Sequence, residues 1–483
     1  MKSVYHMFFA VTCLAAVSGQ GAEGPAQKPP NVVLVVAEGL GWNDCGPYGN
    51  THIRTPNLDL LAKQGIRFEQ AVLTCSAPGP SRYSILTGRH PHSTGAPEPE
   101  MPLPADQLAV TEPLREQGYF TAAAGPWHMG PSVARRFGLV NDGGGGDGCR
   151  DWLEVLRNRP KDKPFFLWLA SSDPHRPFTP QRGQQAHKPF EVVVPPYLPD
   201  TEEVRNELAL YYDGIARFDD KLGALLAELT EEKVAAETLL IVLSDSGPAF
   251  PRCKTTLLEA GIRFPLLMRW PGHIPAGTTS AGLVSSVDLA PTILELCGAS
   301  PQLNMEGTTL VPLFDTPQGV VRRYCYAEHH WCDYQASERA VRSSQYLYIR
   351  NDLPEVPRTP SADVVRSPTF AAMRQLRDAG KLTSVQMDVF IQPRPAEELY
   401  DTQADPYAVS NLAHAPKYAA ALAEMRGMLR AWQKLTGDSM PLPTPDQYDR
   451  ETGRRLDAGI ARTGISSPPE KLGARAAPEV TTQ

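Results

Sequence analysis

The stretch TCSAPGPSRYSILTGR at positions 74–89 sets Arg82 behind two prolines and a glycine and ahead of an apolar run. A rigid turn passing into a helix start can aim backbone N–H groups and a guanidinium at one oxyanion. Cys75 and Ser76 stand just upstream as candidate nucleophiles. Further clusters keep the same chemical company: Glu38 in AEGLGWND, His128 in GPWHMG, His175 in DPHRPF, Asp245 in LSDSG and Lys254 in PRCKTTL. Carboxylates suit a hard cation, while histidine and lysine can move a proton or steady a leaving group. Each also has a plain structural reading: Arg82 can brace its own loop, His128 can pack beside Trp127, and His175 can stiffen a turn between prolines.

The elements that must position these residues are legible. NVVLVVAEG is a continuous apolar run that stops at an acidic residue and a glycine, as a buried parallel strand does at its carboxyl end. YFTAAAG, PFFLWLASSD and ETLLIVLSDSG repeat the pattern, so four strands deliver polar tips to one edge, where open α/β sheets bind ligands. TPNLDLLAKQG reads as a helix with Thr55 as its cap, Pro56 in its first turn and Gly65 at its stop. Val204, Leu208, Tyr211, Ile215, Phe218, Leu222, Leu225 and Leu229 fall on one face of a long helix and belong to the core. VDLAPTILELCG is a shorter helix.

These elements make residues 28–320 a large α/β domain. Short strand-like stretches and the Ala- and Leu-rich run near 416–435 make 321–437 a small α+β domain. Residues 438–483, rich in proline and charge without apolar periodicity, read as a disordered tail, and Cys149 beside GGGGDG reads as a loop residue.

Lys2, the apolar run MFFAVTCLAAV and the small polar SGQGAEG have the three regions of a secretory signal, which makes residues 1–22 a signal peptide and the protein secreted or periplasmic. That run is shorter than the roughly 20 residues a spanning helix needs, so no membrane span is expected. With 483 residues, a net charge of −7 and scattered basic residues, the chain carries no cationic footprint for nucleic acid. Cys13 leaves with the signal, and seven cysteines at irregular spacings allow a disulfide whose pairing is unreadable.

In order and spacing, AEGLGWND, PSRYSILTGR, GPWHMG, DPHRPF, LSDSG and FPRCKTTL resemble the sulfatase family of the alkaline-phosphatase superfamily. DPHRPF, VPPYLPDTEEVR, YYDGIARFD and FPRCKTTL are most similar to its sulfamidase branch, which removes N-linked sulfate from glucosamine. The resemblance runs from about Asn31 to about Leu412. It implies a large mixed sheet between helices plus a smaller C-terminal α+β domain. It also implies a sulfated or anionic glycan as ligand, such as a glycosaminoglycan sugar, a calcium ion, and a formylglycine made from the Cys or Ser of a Cys/Ser-x-Pro-Ser-Arg motif.

Read residue by residue, the chain departs from that pattern. Anchored on Pro80-Ser81-Arg82, the nucleophile position is Pro78, which has neither thiol nor hydroxyl. Ser76 or Cys75 could serve only in a shifted register. Gly39 and Ser246 replace two of the family's metal ligands, leaving Glu38 and Asp245, and Pro126 replaces a lysine. Arg82, His128, His175 and Lys254 are retained. Calcium is therefore expected to be absent or weak and formylglycine absent; the family implies a sulfuric ester or N-sulfate hydrolase, while the site residues imply a pseudoenzyme, a sulfatase-fold protein that binds sulfated sugars. An active sulfatase using Ser76 or Cys75, and a non-catalytic partner of an active sulfatase, remain the alternatives.

Overall fold

The computed structural model describes residues 29–141, 149–180, 187–301, 304–439 and 444–457. The proposed signal peptide lies outside them. Eight strands form the large sheet: β1 (Asn31–Ala37), β2 (Ile66–Val72), β3 (Phe120–Ala124), β4 (Leu139–Asn141), β5 (Phe165–Ser171), β6 (Thr238–Ser244), β7 (Leu266–Arg269) and β8 (Thr278–Ser285). Their order is β4-β3-β5-β1-β6-β7-β2-β8. The four runs picked out from sequence, β3, β5, β1 and β6, are adjacent and mutually parallel. β7 runs antiparallel to both of its neighbours and makes the sheet mixed.

Both faces of this sheet are covered, which is why its strands read as unbroken apolar runs. Val32, Leu34 and Val36 enter one core cluster, and Val33, Val35 and Ala37 enter the other. The helix Glu202–Glu231 lays the expected stripe from Val204 to Leu229 into the second cluster. Its first turn is capped by Thr201, whose side chain accepts from the N–H of Val204.

The helix Pro56–Gln64 forms as expected, but Thr55 does not cap it. The Thr55 hydroxyl accepts from Gly46 instead, and the Asp219 carboxylate takes the N–H groups of Asn57 and Leu58. A buried carboxylate from a neighbouring helix does the capping that sequence assigned locally. Gly65 ends the helix because a Cβ there would sit 2.0 Å from the Met268 carbonyl oxygen, a close approach rather than a left-handed turn.

A second sheet is antiparallel, in the order β12 (Glu397–Asp401), β11 (Tyr346–Asn351), β10 (Tyr334–Arg342) and β9 (Cys325–Cys332). Ala327, Ala340, Leu347, Ile349 and Tyr400 join the first core cluster, so one face of this sheet packs on the large unit. Its other face, with Val341, Tyr348 and Leu399, is covered by Leu422, Met425, Leu429 and Trp432 of the helix Ala419–Thr436.

Three expectations need correction. Residues 444–457, expected as part of a disordered tail, form an ordered strap: Trp331 Nε1 donates to the Pro445 carbonyl, the Tyr334 hydroxyl donates to that of Asp449, and the Arg450 guanidinium lies over the Tyr334 ring. Residues 458–483 lie outside the described residues. Cys149 opens the helix Cys149–Asn158 rather than lying in a loop. Six cysteines are free thiols, and none of the described residues shows the disulfide allowed from sequence. No helix among the described residues is long and apolar enough to cross a membrane.

Candidate functional site

Strand register brings the polar tips together. Ala37 at the end of β1 pairs with Ser171 at the end of β5 and with Ser244 at the end of β6. Glu38, the Asp173–His175 turn and Asp245 therefore emerge side by side. β3 ends one strand over, and Gly125 takes φ +91 where a Cβ would meet the Ala170 carbonyl oxygen at 2.0 Å, which lets the chain swing to His128. Non-glycine residues in the left-handed region concentrate here. His128, Glu100 and Asp333 line the cavity, and Arg252 and Thr255 flank Lys254. Such conformations cost energy and persist only where surrounding contacts enforce them.

The cavity above these tips is about 570 Å³, lined by Glu38, Pro78, Gly79, His128, His175 and Lys254 from the large unit and by Cys332, Asp333, Asp363, Arg366 and Tyr448 from the small one. All six predicted residues converge here, though Arg82 and Asp245 lie beneath the wall rather than on it. Arg82 is fully buried. Its Nε donates to Asp245 Oδ2 at 2.8 Å, and its Nη1 donates to the carbonyls of Pro126 and Trp127 at 2.7 and 2.9 Å. Its Nη2 lies 3.7 Å from Glu38 Oε2 and has no hydrogen-bond partner among the described residues. In this structure the guanidinium braces two carboxylates. It also sits within the helix Pro78–Thr87, and the residue at the first helical position is Pro78.

The electrostatics follow from this packing. Burial pushes Glu38 up, but His175, His128, Arg82 and Lys254 outweigh it and hold the carboxylate well below its usual range. Asp245 moves the other way, because burial and the neighbouring Glu38 charge exceed what Arg82 returns. His175 Nδ1 lies 2.6 Å from the Arg176 carbonyl oxygen, so that nitrogen carries the proton. Nε2 is then free to accept from the Lys254 ammonium at 2.5 Å. Burial and the Lys254 charge both lower the His175 pKa. Burial lowers that of Lys254, but Asp363 and Glu38 raise it further, so the lysine stays charged beside a neutral histidine.

Neither upstream nucleophile candidate is presented to the cavity. The Ser76 hydroxyl accepts from the Gly247 N–H at 3.2 Å and the residue is buried. The Cys75 thiol lies 3.7 Å from the Ala77 carbonyl oxygen, and burial pushes it up to about 12. A thiol so placed is almost wholly protonated at neutral pH.

The donor set does not suit calcium. Asp245 gives Oδ2 to Arg82 and Oδ1 to the Ser246 hydroxyl at 3.2 Å, and Glu38 lies 3.4 Å from His128 Nε2 and 3.7 Å from Arg82 Nη2. Calcium takes 6–8 oxygens, whereas these two carboxylates are already surrounded by cationic and N–H groups. Among the described residues, the three-carboxylate-or-histidine grouping close enough to hold a metal is His92, Glu328 and Asp438, elsewhere in the fold. There Arg339 already pairs with Asp438 at 2.7 Å.

Sequence reasoning missed the far wall. Asp363, 3.7 Å from His175 Nε2, is contributed by the short helix Ala362–Val365, and Asp333 follows β9. Glu38, Glu100, Asp333 and Asp363 together face Lys254 and Arg366, so the wall is mixed in charge rather than mainly cationic. Only the pairing of Lys254 with acidic groups could have signalled this, and those groups are far away in sequence.

The family model described as Sulfatase matches residues 30–138 and 148–299, and one described as N-sulphoglucosamine sulphohydrolase, C-terminal, matches 253–352. The chain is 30% identical over 458 residues to the N-sulphoglucosamine sulphohydrolase of Homo sapiens, covering 85% of this chain and 91% of that protein. It is 28% identical over 485 residues to an ulvan-active sulfatase of Formosa agariphila, covering 87% of this chain and 77% of the other. A solved structure of a protein in complex with its substrate D-glucosamine-2-N,6-O-disulfate shares the fold, with a TM-score of 0.67 at 20% identity, covering 86% of this chain and 99% of that one.

Proposed function

Because the chain belongs to the sulfatase family and has its alkaline-phosphatase-like fold, we propose that it binds a sulfated sugar in the cavity above Lys254 without hydrolysing it through a formylglycine. The observation that carries this reading is Pro78, which lines the cavity at the first position of the helix Pro78–Thr87, where the motif would set its nucleophile. Proline is favoured there because the first helical N–H is unpaired anyway, so the substitution costs the fold little while deleting the reactive group.

In this reading a sulfate would meet the Lys254 ammonium and the exposed His128 ring. Pro78 and Pro80 have no N–H, so Gly79 is the residue of that first turn with a donor to spare, since Ser81 donates to Ala77. The acidic wall of Glu100 and Asp363 would take sugar hydroxyl or amine groups. Calcium has no place in this account, because Arg82 supplies the positive charge between Glu38 and Asp245. Residues 1–22 would direct export, which N-terminal sequencing of secreted protein can check.

The test is titration of the purified chain with N-sulfoglucosamine, beside hydrolysis of that sugar and of an aryl sulfate, with mass analysis of the 67–82 peptide for formylglycine. Binding without turnover is expected. Lys254→Ala should weaken binding by at least 10-fold, since a charge-assisted hydrogen bond contributes about 1.5–3 kcal/mol. Turnover lost in Ser76→Ala or Cys75→Ala would establish the active-sulfatase alternative. Absence of sugar binding in the wild type would leave a partner of an active sulfatase as the surviving reading.

A further inference from the structure

A second cavity, of about 340 Å³, opens beyond the turn that follows Glu38. Its walls are strongly aromatic, with Trp42, Tyr197, Tyr211, Tyr212, Phe250 and Tyr407. They pack edge to face in two places, Tyr211 on Phe250 at 5.5 Å and Tyr197 on Tyr407 at 6.1 Å. Into this apolar setting the chain places one carboxylate, Asp44.

Asp44 is poorly served by its neighbours. The Tyr211 hydroxyl lies 3.0 Å from Asp44 Oδ2, but its single proton is shared with the Gly39 carbonyl oxygen at 3.2 Å. The same hydroxyl accepts from the Gly41 N–H at 2.9 Å, which fixes its position. A carboxylate has about four acceptor sites, and among the described residues no hydrogen bond reaches Asp44 Oδ1. Among the described residues, no lysine, arginine or histidine is in ion-pair contact with it. The titratable groups around it are Tyr48, Tyr197, Tyr211, Tyr212, Tyr407, Cys45 and Cys253, whose pKa values are all raised, burial being the first cause, and which are neutral at pH 7. The cations packed on these walls, Arg263 over Trp42 at 3.6 Å, Arg176 over Phe250 at 5.2 Å and Arg252 over Tyr197 at 5.8 Å, make no ion pair with Asp44. His52 lines the cavity without pairing. Leaving an ionised carboxylate unpaired among aromatic rings is costly, and burial accordingly pushes Asp44 up to about 6.

We propose that this cavity binds an amino sugar with a free, protonated amine, its ammonium paired with Asp44 and its ring packed on the aromatic walls. Ammonium groups are attracted to the faces of aromatic rings and are best held where a counter-charge is also desolvated. A wall of rings alone would suit any alkylammonium. The sugar is favoured because Asn43, Asn50 and Thr51 add amide and hydroxyl groups to the lining, with Asn50 Nδ2 donating to the Tyr212 hydroxyl at 3.1 Å. Apolar walls with a few placed polar groups are the usual make-up of a small-ligand cavity.

This site is separate from the one above Lys254, though neighbours in sequence serve both: Cys253 lines the aromatic cavity and Lys254 the other. The proposal does not depend on sulfated-sugar binding. The probes are glucosamine and N-acetylglucosamine, titrated calorimetrically into the full chain at pH 7. Glucosamine should bind at least 10-fold more tightly than its neutral N-acetyl counterpart, and Asp44→Asn, nearly isosteric, should remove that preference. In the wild type, dropping to pH 4.5 should weaken glucosamine at least 10-fold by protonating Asp44, a readout that needs no variant. Equal binding of the two sugars, or unchanged glucosamine affinity in Asp44→Asn, would overturn the proposal. So would a glucosamine affinity lost in Asp363→Asn and kept in Asp44→Asn, which would assign the amine to the other cavity.

Discussion

Glu38 and Asp44 leave the same strand within one turn of chain and end in opposite electrostatic conditions. Glu38 is the more buried, yet it stays ionised because the charged Arg82 and Lys254 stand beside it. Asp44 keeps more contact with its cavity, yet burial lifts it to about 6 because a tyrosine hydroxyl is its partner. Depth alone does not set a carboxylate's charge; the company of cations does. One carboxylate is internally satisfied and needs no ligand. The other is left in want of a positive charge.

The largest break in that comparison is Arg82→Ala. It strips a fully buried guanidinium from Asp245 and Glu38 and leaves charges unpaired, so denaturant unfolding should show a loss of about 3–5 kcal/mol. Asp44→Asn should act with the opposite sign. The folded pKa is raised above the ordinary 3.8, so the folded state binds more protons than the unfolded chain between pH 3.8 and 6, and stability falls as pH rises through that window. Removing the carboxylate should therefore stabilise the protein at pH 7–8, by up to roughly 3 kcal/mol on full desolvation and about 1 kcal/mol once contact with solvent in the cavity is allowed for. The gain should vanish near pH 4. Unfolding curves at pH 4 and pH 8 check both size and sign.

The smallest effect sharpens the comparison without moving stability much. His175 should titrate below its usual 6.5, and Lys254→Ala should raise it, because the positive charge is removed while Glu38 and Asp363 remain. Histidine ring resonances followed by NMR across pH 4–8 give the direction. An unchanged or lower His175 midpoint in the variant would show that burial alone sets it.

What was legible in the sequence follows from range. Strands β1, β3, β5 and β6 are covered on both faces, so their runs announce themselves, and parallel register then forces Glu38, His128, His175 and Asp245 together. Asp363 and Asp333 were not legible, because their places are set by how the small sheet packs on the large unit, for which no local pattern exists. Arg82 was found, but the motif names the residue and not which of its nitrogens face carboxylates. Asp44 was within a quoted motif, but of the aromatic rings that isolate it AEGLGWND holds only Trp42; the others named come from the 197–212 region, Phe250 and Tyr407.

The strap at 444–457 has a consequence for the order of synthesis. Tyr448 completes the wall of the upper cavity, Thr444 donates to Glu98, and Arg366 donates to the Gly453 carbonyl. A ribosome adding about 5–20 residues per second makes Glu38 roughly 20–80 s before it makes Tyr448. Only in its last stretch, about 2–9 s after β12 ends at Asp401, is the chain of both sheets complete, and until Tyr448 follows the cavity lacks one side and its charged groups face bulk water. The newborn chain therefore acquires its fold before it acquires a closed pocket, and a ligand encountered during translation meets an open trough.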